Sequence, residues 1–285
     1  MPAPLLFVLS GLTQYAGAAL AVGLFASIAA PTVAWLRIVV AAVVLVVWRR
    51  PWRTRWTRDD LRTVALFGVV LAAMNVTFYI AIDHLPLGTA VAIEFAGPVA
   101  VAAVTGRGWR DRVAIGIAAV GVVLLAGVSL SSGAESRVGL VAIALAAAFW
   151  AAYILLGRRV ATAHSGGVTG LALAMTVGAL VFAPFLAHGA APVLDDPALA
   201  AAVVGVGVLS SVIPYAIEQV VLRRVRPATF AVLLALLPAT AAVVGAVALG
   251  QVPHGLDVVG LLLVSGAIAL TARTSDAAEE APPPA

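Results

Sequence analysis

Within the apolar stretch TAVAIEFAGPVAVA (residues 89–102) stand one carboxylate, Glu94, and four residues later a helix breaker, Pro98. A second charge, Arg37, lies in TVAWLRIVV (32–40), and a second carboxylate, Glu218, in PYAIEQVV (214–221). An acid in an apolar run can hold an ammonium group, carry a proton or pair with a cation. Proline lacks the N–H and crowds the preceding turn, so Pro98 frees a backbone carbonyl close to the acid, and the same break recurs at Pro238. These residue types suit the holding of a small charged molecule or a proton better than the breaking of a bond.

The residues needed for covalent or metal chemistry do not converge. There is no cysteine, which excludes disulfides and thiolate sites, and all 17 basic residues are Arg, which excludes lysine nucleophiles. The four histidines, His84, His164, His188 and His254, are isolated in loops, and Asp195 and Asp196 read as a solvated loop pair. No HExxH, GxSxG or GxxxxGK[ST] motif occurs, so the chain is not expected to be an enzyme, to bind a cofactor or metal, or to use ATP directly.

A charge at the centre of a membrane helix costs roughly 2.5–3.5 kcal/mol on insertion scales, so Glu94 and Arg37 must face a cavity or each other. Glu94 lies six residues after Gly88, about 9 Å along a helix, and Arg37 five after Thr32, about 8 Å along its own. With both helices running inward the two share a depth. Two readings stay open: a structural Arg37–Glu94 ion pair, or Glu94 as the anion for a substrate ammonium or a proton carrier, and the two are compatible if substrate binding breaks the pair. Glu218 reads either as a snorkelling partner of Arg223 or Arg224, or as a second acidic station. Gln14, Asn75, Tyr79, Trp150, Tyr153 and Tyr215 complete the polar and amphipathic set inside apolar runs, each a candidate ligand or a packing contact. Trp35, Trp48, Trp52 and Trp56 lie near run ends and read as interfacial anchors.

The elements that must position these groups follow from composition. The chain is 63% apolar and 11% charged over 285 residues, against about 45–50% and 25% for soluble domains, which makes it an integral membrane protein. Apolar runs near 5–25, 32–48, 62–82, 88–105, 113–130, 138–156, 168–187, 198–221, 228–249 and 256–272 each approach the roughly 17–25 residues of a membrane helix. They lack the period of two of barrel strands, so the fold is all-α with ten transmembrane helices. The first run has no basic n-region and is too long for a signal peptide, so it is read as a helix. Fifteen arginines fall in loops on one side and only Arg137 on the other, which predicts a multi-pass inner or plasma membrane protein with both termini cytoplasmic. Topology thus explains the positive charge, and nucleic acid is not an expected partner. The tail from 273 to 285 is polar and Pro-rich and reads as disordered.

Internal symmetry adds a constraint. GTAVAIEFAGPVAVAA (88–103) lies on ATFAVLLALLPATAAV (228–243) with Thr89 on Thr229 and Pro98 on Pro238. FYIAIDHL (78–85) matches PYAIEQVV (214–221), with Tyr79 on Tyr215, and two glycines recur in the fifth and tenth runs, Gly116/Gly121 and Gly260/Gly266. Two five-helix repeats, 1–130 and 138–272, must be inverted because five is odd, and inverted repeats with interrupted helices are a transporter pattern.

The runs FYIAIDHLPLGTAVAIEFAGPVAV and SVIPYAIEQVVLRRVRPATFAVLLALLPATAAVVG, with the RRPWRTRW loop, resemble the threonine/homoserine exporter group of the EamA branch of the drug/metabolite transporter superfamily. The resemblance spans nearly the whole chain. It implies secondary active export of small amino acids by alternating access, with protons as candidate coupling ion and a monomer or homodimer in the lipid bilayer. The alternative is the same fold exporting aromatic amino acids, amines, nucleobases or drugs. Relatives often carry Lys late in the first helix, where this chain reads LAVGLF (20–25).

Overall fold

The computed structural model describes residues 3–105, 109–131, 134–162, 167–214, 217 and 236–279, and among them all regular structure is helical. The helices are α1 (Ala3–Leu24), α2 (Ala30–Arg49), α3 (Arg58–His84), α4 (Leu87–Glu94), α5 (Ala96–Thr105), α6 (Trp109–Ser131), α7 (Ala134–Thr162), α8 (Val168–Leu186), a short α9 (Ala191–Asp195), α10 (Pro197–Gly207), α11 (Leu236–Leu249) and α12 (Leu256–Glu279). Five helical segments are long and apolar enough to cross a membrane: Leu5–Leu24, Ala30–Arg49, Arg58–His84, Ser136–Gly157 and Val168–Asp195. Five shorter apolar segments, Leu87–Val101, Arg112–Ala126, Pro197–Val212, Leu236–Leu249 and Leu256–Leu270, fall within the remaining runs. Residues 218–235, which include parts of two expected spans, lie outside the described residues.

Helix ends follow local chemistry that the apolar runs alone do not mark. Thr57 and Asp60 form a reciprocal capping box, with Asp60 N–H donating to Thr57 Oγ1 and Thr57 N–H to Asp60 Oδ2, both at 3.1 Å, so α3 begins at Arg58, four residues before its apolar run. Arg50, left-handed at φ 51°, closes α2 by donating its N–H to Val46 O. Helix α12 continues to Glu279, so the first seven residues of the expected disordered tail are helical, extended by Ala277, Ala278 and Glu279, which favour helix.

The packing partners are α3 with α7 and α8, α2 with α8, α6 with α12, α1 with α10 and α11, and α4 with α7 and α11. Helices in lipid gain little from hydrophobicity against one another, so close van der Waals approach at small residues holds them. A Cβ on Gly121 would lie 3.0 Å from Gly260 O, and one on Gly260 would lie 3.1 Å from Gly121 O, so one glycine of the fifth run faces one of the tenth, while Gly116 and Gly266 have nothing within 4 Å. Gly88 is pressed on Ala242, Gly68 on the Ala174 carbonyl, and Gly97 on the Ala147 carbonyl. Trp35, read as an interfacial anchor, instead donates Nε1–H to Ala179 O at 2.8 Å, because half-burial in α2 leaves its N–H needing a protein acceptor in α8.

Candidate functional site

The break in the fourth run has a specific cause. An unbroken helix would have the residue-98 amide donate to Glu94 O, and Pro98 has no amide to give. Helix α4 therefore ends at Glu94 and α5 starts at Ala96, with Phe95 N–H on Val91 O at 3.2 Å and Val99 N–H on Phe95 O at 3.1 Å to either side. The buried acid and the freed carbonyl belong to the same residue. Trp150 of α7 fixes this bend from outside, its ring edge-on to Phe95 at 4.6 Å.

Arg37 is buried, and its charge is satisfied by the second half of the chain. Its Nε donates to Ser211 Oγ at 2.8 Å and its Nη2 to Ser210 O at 2.9 Å. Both serines lie in a π-helical turn, Val208–Val212, where Ile213 N–H reaches back five residues to Val208 O. Such turns widen a helix locally and recur at functional sites. The guanidinium carbon also lies 5.4 Å from the centre of the Tyr79 ring, a cation–π contact. Among the described residues no ion pair joins Arg37 to Glu94, and Glu94 has no hydrogen-bond partner.

Around Arg37 lie polar atoms that the protein leaves unused. Tyr79 Oη and Ser210 Oγ, on residues that contact Arg37, and Ser10 Oγ on α1 are sealed from solvent with no hydrogen-bond partner among the described residues. Native interiors seldom leave such atoms unpaired, which marks these three as candidate polar contacts for a small molecule. Asn75, one turn before Tyr79 on α3, donates Nδ2 to Leu71 O at 2.8 Å and leaves its Oδ1 open. Gln14 is half-buried on the α1 face that carries Ser10 and Gly17, and Gly17 is pressed against Ser210.

Not every candidate joins this group. Tyr153 stacks on Phe67 at 4.9 Å within a second apolar cluster between α2, α3, α7 and α8. Pro238 is buried in the first turn of α11, close to the Gly11 contact with Leu237 and Thr240. Tyr215 and Glu218 lie outside the described residues. No group of three metal-ligating side chains occurs among the described residues. The serines of VLSSVIP were missed by sequence reasoning; their signal was a polar pair in the middle of an apolar run.

Known proteins resemble the chain across most of its length. An EamA-like transporter family model matches residues 137–273. The threonine/homoserine exporter RhtA of Salmonella typhimurium is 34% identical over 93% of this chain and 89% of its own. The protein of the same name from Escherichia coli K12 is 37% identical over 82% of this chain and 79% of its own. A solved crystal structure at 20% identity shares the fold, with a TM-score of 0.57 over 94% of this chain and 96% of that one.

Proposed function

Since the chain belongs to the EamA-like transporter family, we propose that it is a secondary active transporter exporting threonine, homoserine or similar small amino acids. The relatives' cargo motivates that choice. The observation that carries the mechanism is that Arg37 spends its hydrogen bonds on the second half of the chain and not on Glu94. Arg37 is satisfied by the Ser210 carbonyl and the Ser211 hydroxyl, so Glu94 is left as a buried acid with no hydrogen bond or ion pair among the described residues. A buried carboxylate without a protein partner suits an amino-acid ammonium or a transported proton.

Alternating access between inverted halves is supported by the packing. Exchanging each span of the first half with its counterpart five spans later turns α3–α7 into α10–α1, and α4–α7 into α11–α1. It carries α3–α8 into α10–α2, and leaves α2–α8, α6–α12 and α4–α11 as pairs of their own counterparts. Such a pattern is expected of two repeats rocking about a shared axis. The arginine-rich loops support a topology with both termini in the cytoplasm.

Amino-acid flux in proteoliposomes under an imposed pH gradient tests this reading. Wild type moves threonine or homoserine with the gradient, and Glu94→Gln loses the coupling. A mutant with unchanged coupling removes Glu94 from the mechanism and moves attention to Glu218. A wild type that moves neither amino acid defeats the cargo assignment and favours the second reading, a different metabolite, which the LAVGLF segment without its lysine also suits.

A further inference from the structure

A pocket of about 220 Å³ opens at the end of the bundle where α4 begins and the loop from α11 to α12 crosses over it. It lies at the opposite end of α4 from Glu94 and is lined by Pro86, Gly88, Thr89, Gln251, His254 and Asp257 among others. Drug-sized ligands need about 300–1,000 Å³, so this space suits one small molecule.

Three features give the pocket a chemistry. The first is a set of donors at the start of α4. The opening amides of a helix have no intrahelical acceptor. Leu87 N–H is taken by Gln251 Oε1 at 2.9 Å and Ala90 N–H by Pro86 O at 2.9 Å, whereas those of Gly88 and Thr89 have no partner among the described residues. Together with the helix dipole they favour a carboxylate. The second is Thr89 itself, 5% exposed, with its hydroxyl unpaired among the described residues and its side chain on the pocket wall. The third is Asp257 in the first turn of α12, an acid on the same wall whose Oδ2 has only a 3.5 Å contact with His254 N–H. Gly88 is required for this geometry, because a Cβ there would lie 2.8 Å from Ala242 Cα and push α4 off α11.

We propose that this pocket is a second amino-acid station, separate from the Arg37–Glu94 centre, holding the α-carboxylate on the Gly88 and Thr89 amides and the Thr89 hydroxyl, and the ammonium on Asp257. It rests on the reading that small amino acids are the cargo. With both termini cytoplasmic it faces outside, where an exported molecule leaves. One wall comes from each half of the chain, so relative motion of the halves would open or close it.

The test is equilibrium binding of labelled L-threonine to the full chain in nanodiscs, in wild-type and Glu94→Gln backgrounds so that the centre is disabled in one arm. Competitors are threonine methyl ester, which lacks the carboxylate, and 2,3-dihydroxybutanoate, which lacks the ammonium. In the Glu94→Gln background, Asp257→Asn weakens threonine about tenfold, the loss expected of a charge-assisted contact, and leaves 2,3-dihydroxybutanoate unchanged. Thr89→Ala weakens threonine and 2,3-dihydroxybutanoate alike, with Thr89→Ser restoring both. Equal threonine binding by wild type and Asp257→Asn in that background overturns the pocket and leaves the cargo reading intact. Parallel loss of both ligands in Asp257→Asn, which a misfolded variant would give, also overturns it unless Thr89→Ala and Thr89→Ser separate as stated. If wild type binds neither threonine nor homoserine, the cargo assignment fails and this assignment falls with it.

Discussion

Arg37 and Ser211, 174 positions apart in the chain, are joined by a 2.8 Å hydrogen bond in the interior of the bundle. The bond ties the second helix to the π turn of the second half, and the Ser210 carbonyl strengthens it at 2.9 Å. A buried cation satisfied in this way does not need a carboxylate as a hydrogen-bond partner.

Ser211→Ala should destabilise the protein by about 1.5–3 kcal/mol, because it leaves part of a buried guanidinium unpaired. Thermal melting in nanodiscs reads this directly. Arg37→Lys should be at least as costly, since one ammonium cannot reproduce the paired geometry or the stacking on Tyr79. A melting temperature unmoved by both substitutions would show that this contact does not hold the halves together.

Tyr79→Phe should leave stability unchanged or raise it by up to about 1 kcal/mol, since the hydroxyl is buried without a partner among the described residues. The ring that faces Arg37 is retained. Threonine transport should nonetheless weaken, visible as a raised KM. Unchanged kinetics would mean that the hydroxyl meets no substrate.

Pro98→Ala restores the amide that can donate to Glu94 O, and should fuse α4 and α5 into one straighter helix. Slower hydrogen–deuterium exchange across residues 94–99 would report the fusion. Flux should fall even though the helix gains a hydrogen bond, because the break positions the acid. A Pro98→Ala protein that exchanges slowly and still transports at the wild-type rate would show the bend to be dispensable.

Gly97→Ala and Gly116→Ala should differ sharply. A Cβ at Gly97 collides with the Ala147 carbonyl, so the α5–α7 contact must open at a cost of about 1–3 kcal/mol. One at Gly116 meets nothing within 4 Å, so the change should be neutral or gain up to about 1 kcal/mol of helix propensity. Melting the two variants side by side checks the packing with the same chemical change.

Much of this protein is set by local chemistry and is legible in the chain. Composition decides that it lies in a membrane, because apolar residues in runs of this length have no other stable solvent. Pro98 decides where the fourth helix breaks, and the family resemblance read from the chain is one that the relatives bear out. Which charge meets which is not local. Depth along two helices places Arg37 level with Glu94, but depth does not say that the guanidinium donates its hydrogen bonds to Ser210 and Ser211. Helix α2 also meets Ala179 through Trp35 and Gly207 through Val40, contacts between segments more than 140 residues apart. The same holds for Tyr153, which shares a run with Trp150 yet faces Phe67, and for Gln251, a loop residue that caps α4. A hydrogen bond needs its atoms within a few tenths of an ångström of their places, and only the assembled bundle fixes positions that finely.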